Sequence, residues 1–173
     1  MKIFKNKVFA LVLCVVLVLA STLLNTRVKL GGMCEELNER FYASEGIGDK
    51  LQALRAGADA LAALAENNGI RADALKDASA ALQSLLSQRS VNAGQLHTSY
   101  DALRSQLSAT AAQLKENNVS GADTILSGIQ TIQDAISSSG YNAEVREFRS
   151  KNGSFFTRFL ASLSGVSIPE EFA

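Results

Sequence analysis

The sequence predicts an all-α protein in which an N-terminal transmembrane helix continues into an elongated antiparallel bundle of about four helices. Residues 8–26 form an uncharged, mostly apolar run. In the rest of the chain, apolar residues recur at spacings of three and four, which is the helical pattern. Pro169 is the only proline, which suits long helices. We find no sustained alternation of period two and therefore expect no strands.

The N-terminal run has the length of a membrane anchor. It holds 19 residues, from Val8 to Thr26, and a helix needs about 20 apolar residues to cross a bilayer. The basic residues Lys2, Lys5 and Lys7 precede it. We therefore interpret residues 1–7 as a basic flank and residues 8–26 as a single transmembrane anchor embedded in the lipid bilayer.

A cleaved secretory signal is the competing interpretation of this run. Residues 18–20 (Val-Leu-Ala) resemble a cleavage site after a short apolar core. However, apolar character resumes at residues 23–24, and no loop-forming residue precedes residues 31–32 (Gly-Gly). The sequence therefore favours a retained anchor over a cleaved signal.

Charges beside the run indicate its orientation. Basic residues prefer the cytoplasmic side of a membrane, and acidic residues count little in this rule. Three lysines cluster before the run, whereas Arg27, Lys29 and Arg40 follow it among several glutamates. We expect a cytoplasmic N-terminus and an extracytoplasmic bundle.

Residues 27–154 are predicted to form the bundle and residues 155–173 an apolar C-terminal tail segment. Expected helix breaks lie at residues 44–48, 66–69 and 116–121, and the pattern leaves open whether residues 89–94 also break a helix.

The segments between these breaks carry four apolar stripes. These are Leu51, Leu54, Ala58 and Leu61; Leu75, Ala78, Leu82 and Leu85; Leu96, Tyr100, Leu103, Leu107 and Leu114; and Ile125, Ile129, Ile132 and Ile136, continued by Tyr141, Val145 and Phe148. Short connections favour antiparallel neighbours.

The net charge bears on the classes of partner, and the cysteine spacing bears on whether an internal disulfide can form. Without the three N-terminal lysines the chain holds 14 basic and 17 acidic residues. This balance argues against a nucleic-acid partner and against a polybasic patch on the membrane surface. If one helix carries both Cys14 and Cys34, they lie about 30 Å apart and cannot pair. We expect two free thiols.

One segment has a more specific pattern. Residues 141–148 read YNAEVREF, and Phe155 follows a short polar linker. This segment resembles the closing signature of the LemA family, in which a Tyr-Asn-x-x-Val-Arg-x-aromatic run ends the last long helix. The similarity extends from Tyr141 to Val166, and residues 24–30 (LNTRVKL) are similar to a second pattern of that family. Phe156 departs from it, because the family has proline there. The residues that carry the signature are Tyr141, Asn142, Val145, Arg146, Phe148 and Phe155.

The resemblance implies a single-pass bacterial membrane protein with a long antiparallel helical bundle. The resemblance is informative about the fold and the location more than about the function, because the family's biochemical role is poorly defined. The signature residues either clamp the last helix to the bundle, which we favour, or form a docking surface. The tail around Phe155, Phe156, Phe159 and Leu160 either folds back on the bundle, which we favour, or lies on a bilayer interface.

The sequence offers no catalytic, cofactor-binding or metal-binding constellation. His97 is the only histidine, and it has no set of Cys and carboxylate partners at metal-ligand spacing. We expect a non-enzymatic scaffold that presents a surface to another envelope or membrane protein or to a second copy of itself. The alternative is an accessory or regulatory subunit of a membrane enzyme or transporter.

Overall fold

The computed structural model describes residues 7–89 and 93–172, and every regular element in these ranges is an α-helix. This confirms the all-α prediction. The helices are α1 (Lys7–Tyr42), α2 (Ile47–Asn67), α3 (Asp73–Ser87), α4 (Ala93–Glu116), α5 (Ala122–Ser137), α6 (Tyr141–Asn152) and α7 (Phe155–Ser164).

The chain divides into two compact units. Within the described residues, the first unit holds residues 7–37 and 147–168, and the second holds residues 38–146 and 169–172. The boundaries fall inside α1 and inside α6. Each of these helices therefore contributes side chains to both units.

The second unit is built around four helices that pack on one another. Helix α2 packs against α3, α4 and α5, and α4 packs against α3 and α5. The four predicted stripes lie on these four helices in order, and their leucines and isoleucines supply about half of the buried core residues. The fully enclosed side chains include Leu51, Leu54, Leu61, Leu75, Leu82, Leu96, Leu103 and Leu114.

The expected breaks at residues 44–48, 66–69 and 116–121 are confirmed, because each region separates two helices. Gly69 has a φ of 75°, in the left-handed region that glycine adopts without strain. Gly46 is needed for a different reason. A Cβ atom there would lie 2.5 Å from the carbonyl oxygen of Phe41 and 2.6 Å from that of Arg40. The chain can therefore turn tightly after α1 only with glycine at this position.

The structure corrects two details of the predicted pattern. The fourth stripe does not continue unbroken, because α5 ends at Ser137 and α6 begins at Tyr141. In α3 the buried face holds Ser79 and Leu86, while Ala78 and Leu85 are only half-buried. Ser79 is accommodated because its hydroxyl donates a 2.6 Å hydrogen bond to Asp59 Oδ1 on α2.

Of residues 89–94, the structure describes Arg89, Ala93 and Gly94. Gly94 lies inside the first turn of α4, and Arg89 has a φ of 49° just beyond α3. Residues 90–92, where the connection would run, lie outside the described residues.

The first unit has a small core. Its buried side chains are Leu30 and Leu37 of α1, Phe148 of α6 and Ala161 of α7. Cys34, Val166 and Ile168 pack against them. From Leu11 to Ser21 every residue of α1 is exposed, and most of these residues are apolar.

Helix α1 is long and apolar enough to cross a membrane, by length and composition. An 18-residue window near its N-terminus has a mean hydropathy of 2.4, and none of that window is buried within the protein. The apolar side chains of a core helix would be covered by neighbouring helices, and these are not.

Candidate functional site

Helix α6 positions five of the six signature residues. Tyr141 and Val145 are one helical turn apart and are both buried in the core of the second unit. Asn142 and Arg146 lie on the adjoining face of the same two helical turns and also belong to the second unit. Phe148 is buried in the core of the first unit. The sixth residue, Phe155, begins α7 and is 87% exposed.

Asn142 binds the backbone of a distant segment. Its side-chain amide donates a 2.7 Å hydrogen bond from Nδ2 to the carbonyl oxygen of Phe172. Its Oδ1 accepts a 2.7 Å hydrogen bond from the Phe172 N–H. One side chain thus satisfies both backbone polar groups of a buried residue, which would otherwise cost free energy.

Arg146 reinforces the same attachment. Its guanidinium lies 3.1 Å from Glu171 Oε2, one residue before Phe172. A second ion pair, 3.3 Å long, joins Arg40 on α1 to Glu144 on α6. Both pairs are largely exposed, so each contributes about 1 kcal/mol or less. The Arg146–Glu171 pair therefore fixes the position of segment 169–172 on α6 more than it strengthens the attachment.

Phe172 is the centre of an aromatic cluster in the second unit. Its ring centroid lies 6.1 Å from that of Phe41, 5.6 Å from Tyr100 and 5.3 Å from His97. Phe41 in turn meets Tyr141 edge-on at 5.1 Å. Offset and edge-on aromatic pairs contribute about 0.5–1.5 kcal/mol each beyond the area they bury. The segment 169–172 is therefore held by both apolar and polar contacts.

His97 lies at the edge of this cluster. Its Nδ1 is 3.4 Å from Asp101 Oδ2, one turn along α4. The described residues contain no group of three or more His, Cys, Asp or Glu side chains that could hold a metal ion. His97 is therefore placed as an aromatic packing partner with a carboxylate neighbour.

The surroundings of two tyrosines beside the aromatic cluster shift their pKa values. Burial raises the pKa of Tyr100, and the nearby Arg104 guanidinium partly opposes that effect. Burial also raises the pKa of Tyr42, against the charge of Arg89. Both phenols therefore stay protonated at neutral pH. Neither shift creates an acid or base that works near pH 7.

In the first unit, two further groups are shifted. Burial raises the pKa of the Cys34 thiol. A hydrogen bond from Lys151, together with its positive charge, lowers the pKa of Glu147, its partner one turn earlier on α6. Glu147 lies on an exposed helix surface, where such a pair is common and weak.

The second unit contains two open pockets. One, of about 270 Å³, lies between the turn after α1 and the start of α6. The other, of about 530 Å³, is lined by residues at the start of α3 and the end of α4. The lining of the smaller pocket includes the hydroxyls of Ser44 and Ser139 beside charged side chains such as Lys50 and Glu144. The lining of the larger one includes Arg71, Asp73 and the amides of Gln113 and Asn117.

The most important residue missed by the sequence reasoning is Phe172. The sequence pattern places it in the tail segment 155–173 and gives it no role of its own. The available signal was chemical complementarity, because Glu170 and Glu171 carry the charge opposite to that of Arg146 and Phe172 is a lone aromatic after Pro169. The structure brings Asn142 and Arg146 to this segment, buries Tyr141 and Val145 in the same core as Phe172, and places Phe148 and Phe155 in the first unit.

Comparisons of the chain with known protein families, with curated proteins and with solved structures found no match. The resemblance to the LemA family therefore depends on the residues of its two signature segments.

Proposed function

We propose that the protein is a membrane-anchored, non-enzymatic helical scaffold. Residues 8–26 of α1 cross the bilayer, and the second unit is presented at the membrane surface to another envelope or membrane protein. The single observation that carries this proposal is the exposed apolar length of α1, with a mean hydropathy of 2.4 over 18 residues and none of it buried. Such a surface is stable in lipid and costly in water.

The surface of the second unit supports a scaffold more than a hydrophobic docking groove. In its described part no large hydrophobic side chain is highly exposed, and its leucines and isoleucines face inward. A closed core with a polar exterior suits a spacer or a platform that binds partners through charged and amide groups. Self-association through that polar surface belongs to the same proposal.

The LemA resemblance supports a bacterial single-pass protein, and the short connections between α2, α3, α4 and α5 support an antiparallel arrangement. The lysines before α1 support an extracytoplasmic position for the second unit. The clamp interpretation of the signature is supported by the burial of Tyr141 and Val145 and by the two hydrogen bonds of Asn142.

Membrane extraction combined with an intact mass tests the anchor. We expect the full chain to stay in the membrane pellet at alkaline pH and to keep the mass of the uncleaved sequence. Leu13→Arg together with Leu17→Arg should release it, because each arginine costs about 2.5–3.5 kcal/mol at the centre of a span.

The matched control is Gln52→Arg together with Gln83→Arg, which adds the same charge to exposed positions on α2 and α3. This variant should remain in the pellet. Recovery of the unchanged chain in the soluble fraction, or a mass that lacks the residues up to Ala20, would contradict the proposal and favour a cleaved signal.

A further inference from the structure

Highly exposed large hydrophobic side chains are unevenly distributed among the described residues. Among the residues with described exposure, all the highly exposed large hydrophobics belong to the first unit. They fall into two groups. One group lies on α1 between Phe9 and Met33, and the other consists of Phe155, Phe156, Phe159 and Leu163 on α7.

Helix α7 is apolar on the side that its neighbours do not cover. Phe155, Phe159 and Leu163 are spaced by four residues and so share one face, which Phe156 widens. These four side chains are between 52% and 87% exposed. The opposite face carries Ala161, which is buried, and Ser164, which is half-buried.

The inward face of α7 contacts α1 close to the end of the apolar run. Ala161 shares the small core of the first unit with Leu30. Ser164 Oγ lies 3.5 Å from the carbonyl oxygen of Leu23. Just after α7, Val166 Cγ2 approaches Gly31 closely enough to contact a Cβ atom at that position. Helix α7 therefore lies beside residues 23–31, where the uncharged run gives way to Arg27 and Lys29.

Within this same stretch of α1, the side chains of Leu24 and Val28 are 65% and 74% exposed. The charges nearby are basic. Arg158 is the only charged residue of α7, and Arg27 and Lys29 are exposed on α1. An apolar face bordered by arginine and lysine is the pattern of a helix that lies in the interface of a bilayer containing anionic lipid.

We propose that α7 is an interfacial helix that inserts Phe155, Phe156, Phe159 and Leu163 into the bilayer beside the point where α1 leaves it. This inference depends on the proposed membrane span of α1 and adds a second, lateral contact with lipid. Interfacial helices bury their apolar face about 5–10 Å deep, at the boundary between headgroups and acyl chains. The basic side chains then lie at the level of the lipid headgroups.

The absence of tryptophan from the chain permits a direct test. The full chain with Phe159→Trp is reconstituted into vesicles of phosphatidylcholine and phosphatidylglycerol. Some vesicles contain lipid brominated near the headgroup, and others contain lipid brominated near the end of the acyl chain. Two matched single-tryptophan variants are measured beside it. Leu17→Trp reports the middle of the proposed span, and Gln52→Trp reports an exposed position on α2.

We expect the Phe159→Trp protein to lose most of its fluorescence to the shallow quencher and little to the deep one. Leu17→Trp should show the reverse preference, and Gln52→Trp should respond to neither. Phe159 is exposed and the change is aromatic for aromatic, so we expect the variant to fold.

Two results would overturn the inference in distinguishable ways. Quenching of Leu17→Trp without quenching of Phe159→Trp would leave the anchor in place and exclude the interfacial helix. If that Phe159→Trp protein also resisted aqueous iodide, the apolar face of α7 would be covered by protein instead of lipid. Absence of quenching in both variants would contradict the anchor and the interfacial helix together.

Discussion

Asn142 illustrates how one side chain can hold a distant segment. Phe172 is buried, and its backbone N–H and carbonyl both need partners. An amide side chain can donate and accept at once, and Asn142 does both at 2.7 Å. Neither a carboxylate nor an aliphatic side chain of similar size can replace both bonds.

We expect Asn142→Asp to destabilise the second unit by about 1–3 kcal/mol, because the carboxylate leaves the Phe172 carbonyl without its donor. The carboxylate still accepts from the Phe172 N–H, so the loss is partial. Urea denaturation of the detergent-solubilised chain, followed by circular dichroism, measures the effect. Gln52→Glu removes an amide and adds the same charge at an exposed site, and it should change stability little. Equal stability of the two variants would show that the Asn142 bonds are energetically unimportant.

Phe172→Ala should cost about 3–5 kcal/mol, the usual range for a large aromatic residue removed from a core. The ring is 5% exposed and contacts three other aromatic rings. Phe155→Ala is the matched control, because Phe155 is 87% exposed. In detergent its thermal midpoint should stay close to that of the unchanged protein. A Phe172→Ala protein that unfolds at the same temperature as the control would exclude a stabilising role for segment 169–172.

Cys34 is expected to react slowly with maleimide. Burial raises its pKa, so the reactive thiolate is scarcer at neutral pH than at an ordinary cysteine. In a Cys14→Ser background, the thiol introduced by Ser120→Cys provides an exposed internal reference. Peptide mass spectrometry over time should show slower labelling of Cys34, with a rate that continues to rise at pH values where the reference has levelled off. Equal rates and equal pH profiles would mean that the thiol is not shielded.

At the residue scale, burial can be predicted from the sequence where apolar residues repeat at helical spacing. Tyr141 and Val145 are one turn apart on an apolar stripe, and both are buried. The docking of Phe172 could not be found in this way, because its partner Asn142 lies 30 residues away. Ser79 shows the same limit. Its burial depends on Asp59 of another helix, and periodicity within α3 carries no information about that partner.

At the scale of helices, the breaks at residues 44–48, 66–69 and 116–121 were predicted and the break between α5 and α6 was not. Residues 138–140 are Ser-Ser-Gly, and the apolar repeat resumes after only one extra residue. A five-residue step differs little from a four-residue helical spacing, so the stripe alone suggested continuity. The structure ends α5 at Ser137 and begins a new helix at Tyr141.

Two glycines inside helices should respond in opposite ways to the same substitution. A Cβ at Gly128 on α5 would meet no atom within 4 Å, so Gly128→Ala should stabilise the protein by about 1 kcal/mol through helix propensity. A Cβ at Gly57 on α2 would lie 2.9 Å from Ile129 Cγ1, which is too close. Overpacking of this kind costs about 1–3 kcal/mol, so Gly57→Ala should lower stability.

Thermal unfolding of the two glycine variants and of the unchanged chain compares the two effects directly. Each variant is the other's control, because both add one methyl group to a helix interior. Stabilisation by Gly57→Ala equal to that by Gly128→Ala would mean that α2 and α5 do not approach each other as closely as described.

At the scale of the whole molecule, the distribution of apolar surface separates two roles. The second unit encloses its large hydrophobic side chains in a core. The first unit exposes them along α1 and α7. In a protein that functioned entirely in water, the exposed apolar side chains of the first unit would be energetically unfavourable, whereas contact with a membrane removes them from water. Under the proposed function, the first unit contacts lipid and the polar surface of the second contacts a partner.

The most direct test of the central claim is the membrane topology of α1. Single cysteines are placed at Asn6 and at the exposed Ser120 in chains with Cys14→Ser and Cys34→Ser, and cells are treated with a membrane-impermeant maleimide before or after lysis. We predict labelling at position 120 in intact cells and labelling at position 6 only after lysis. Labelling of both positions under the same condition, or loss of the N-terminal residues from the mature protein, would show that α1 does not span the bilayer.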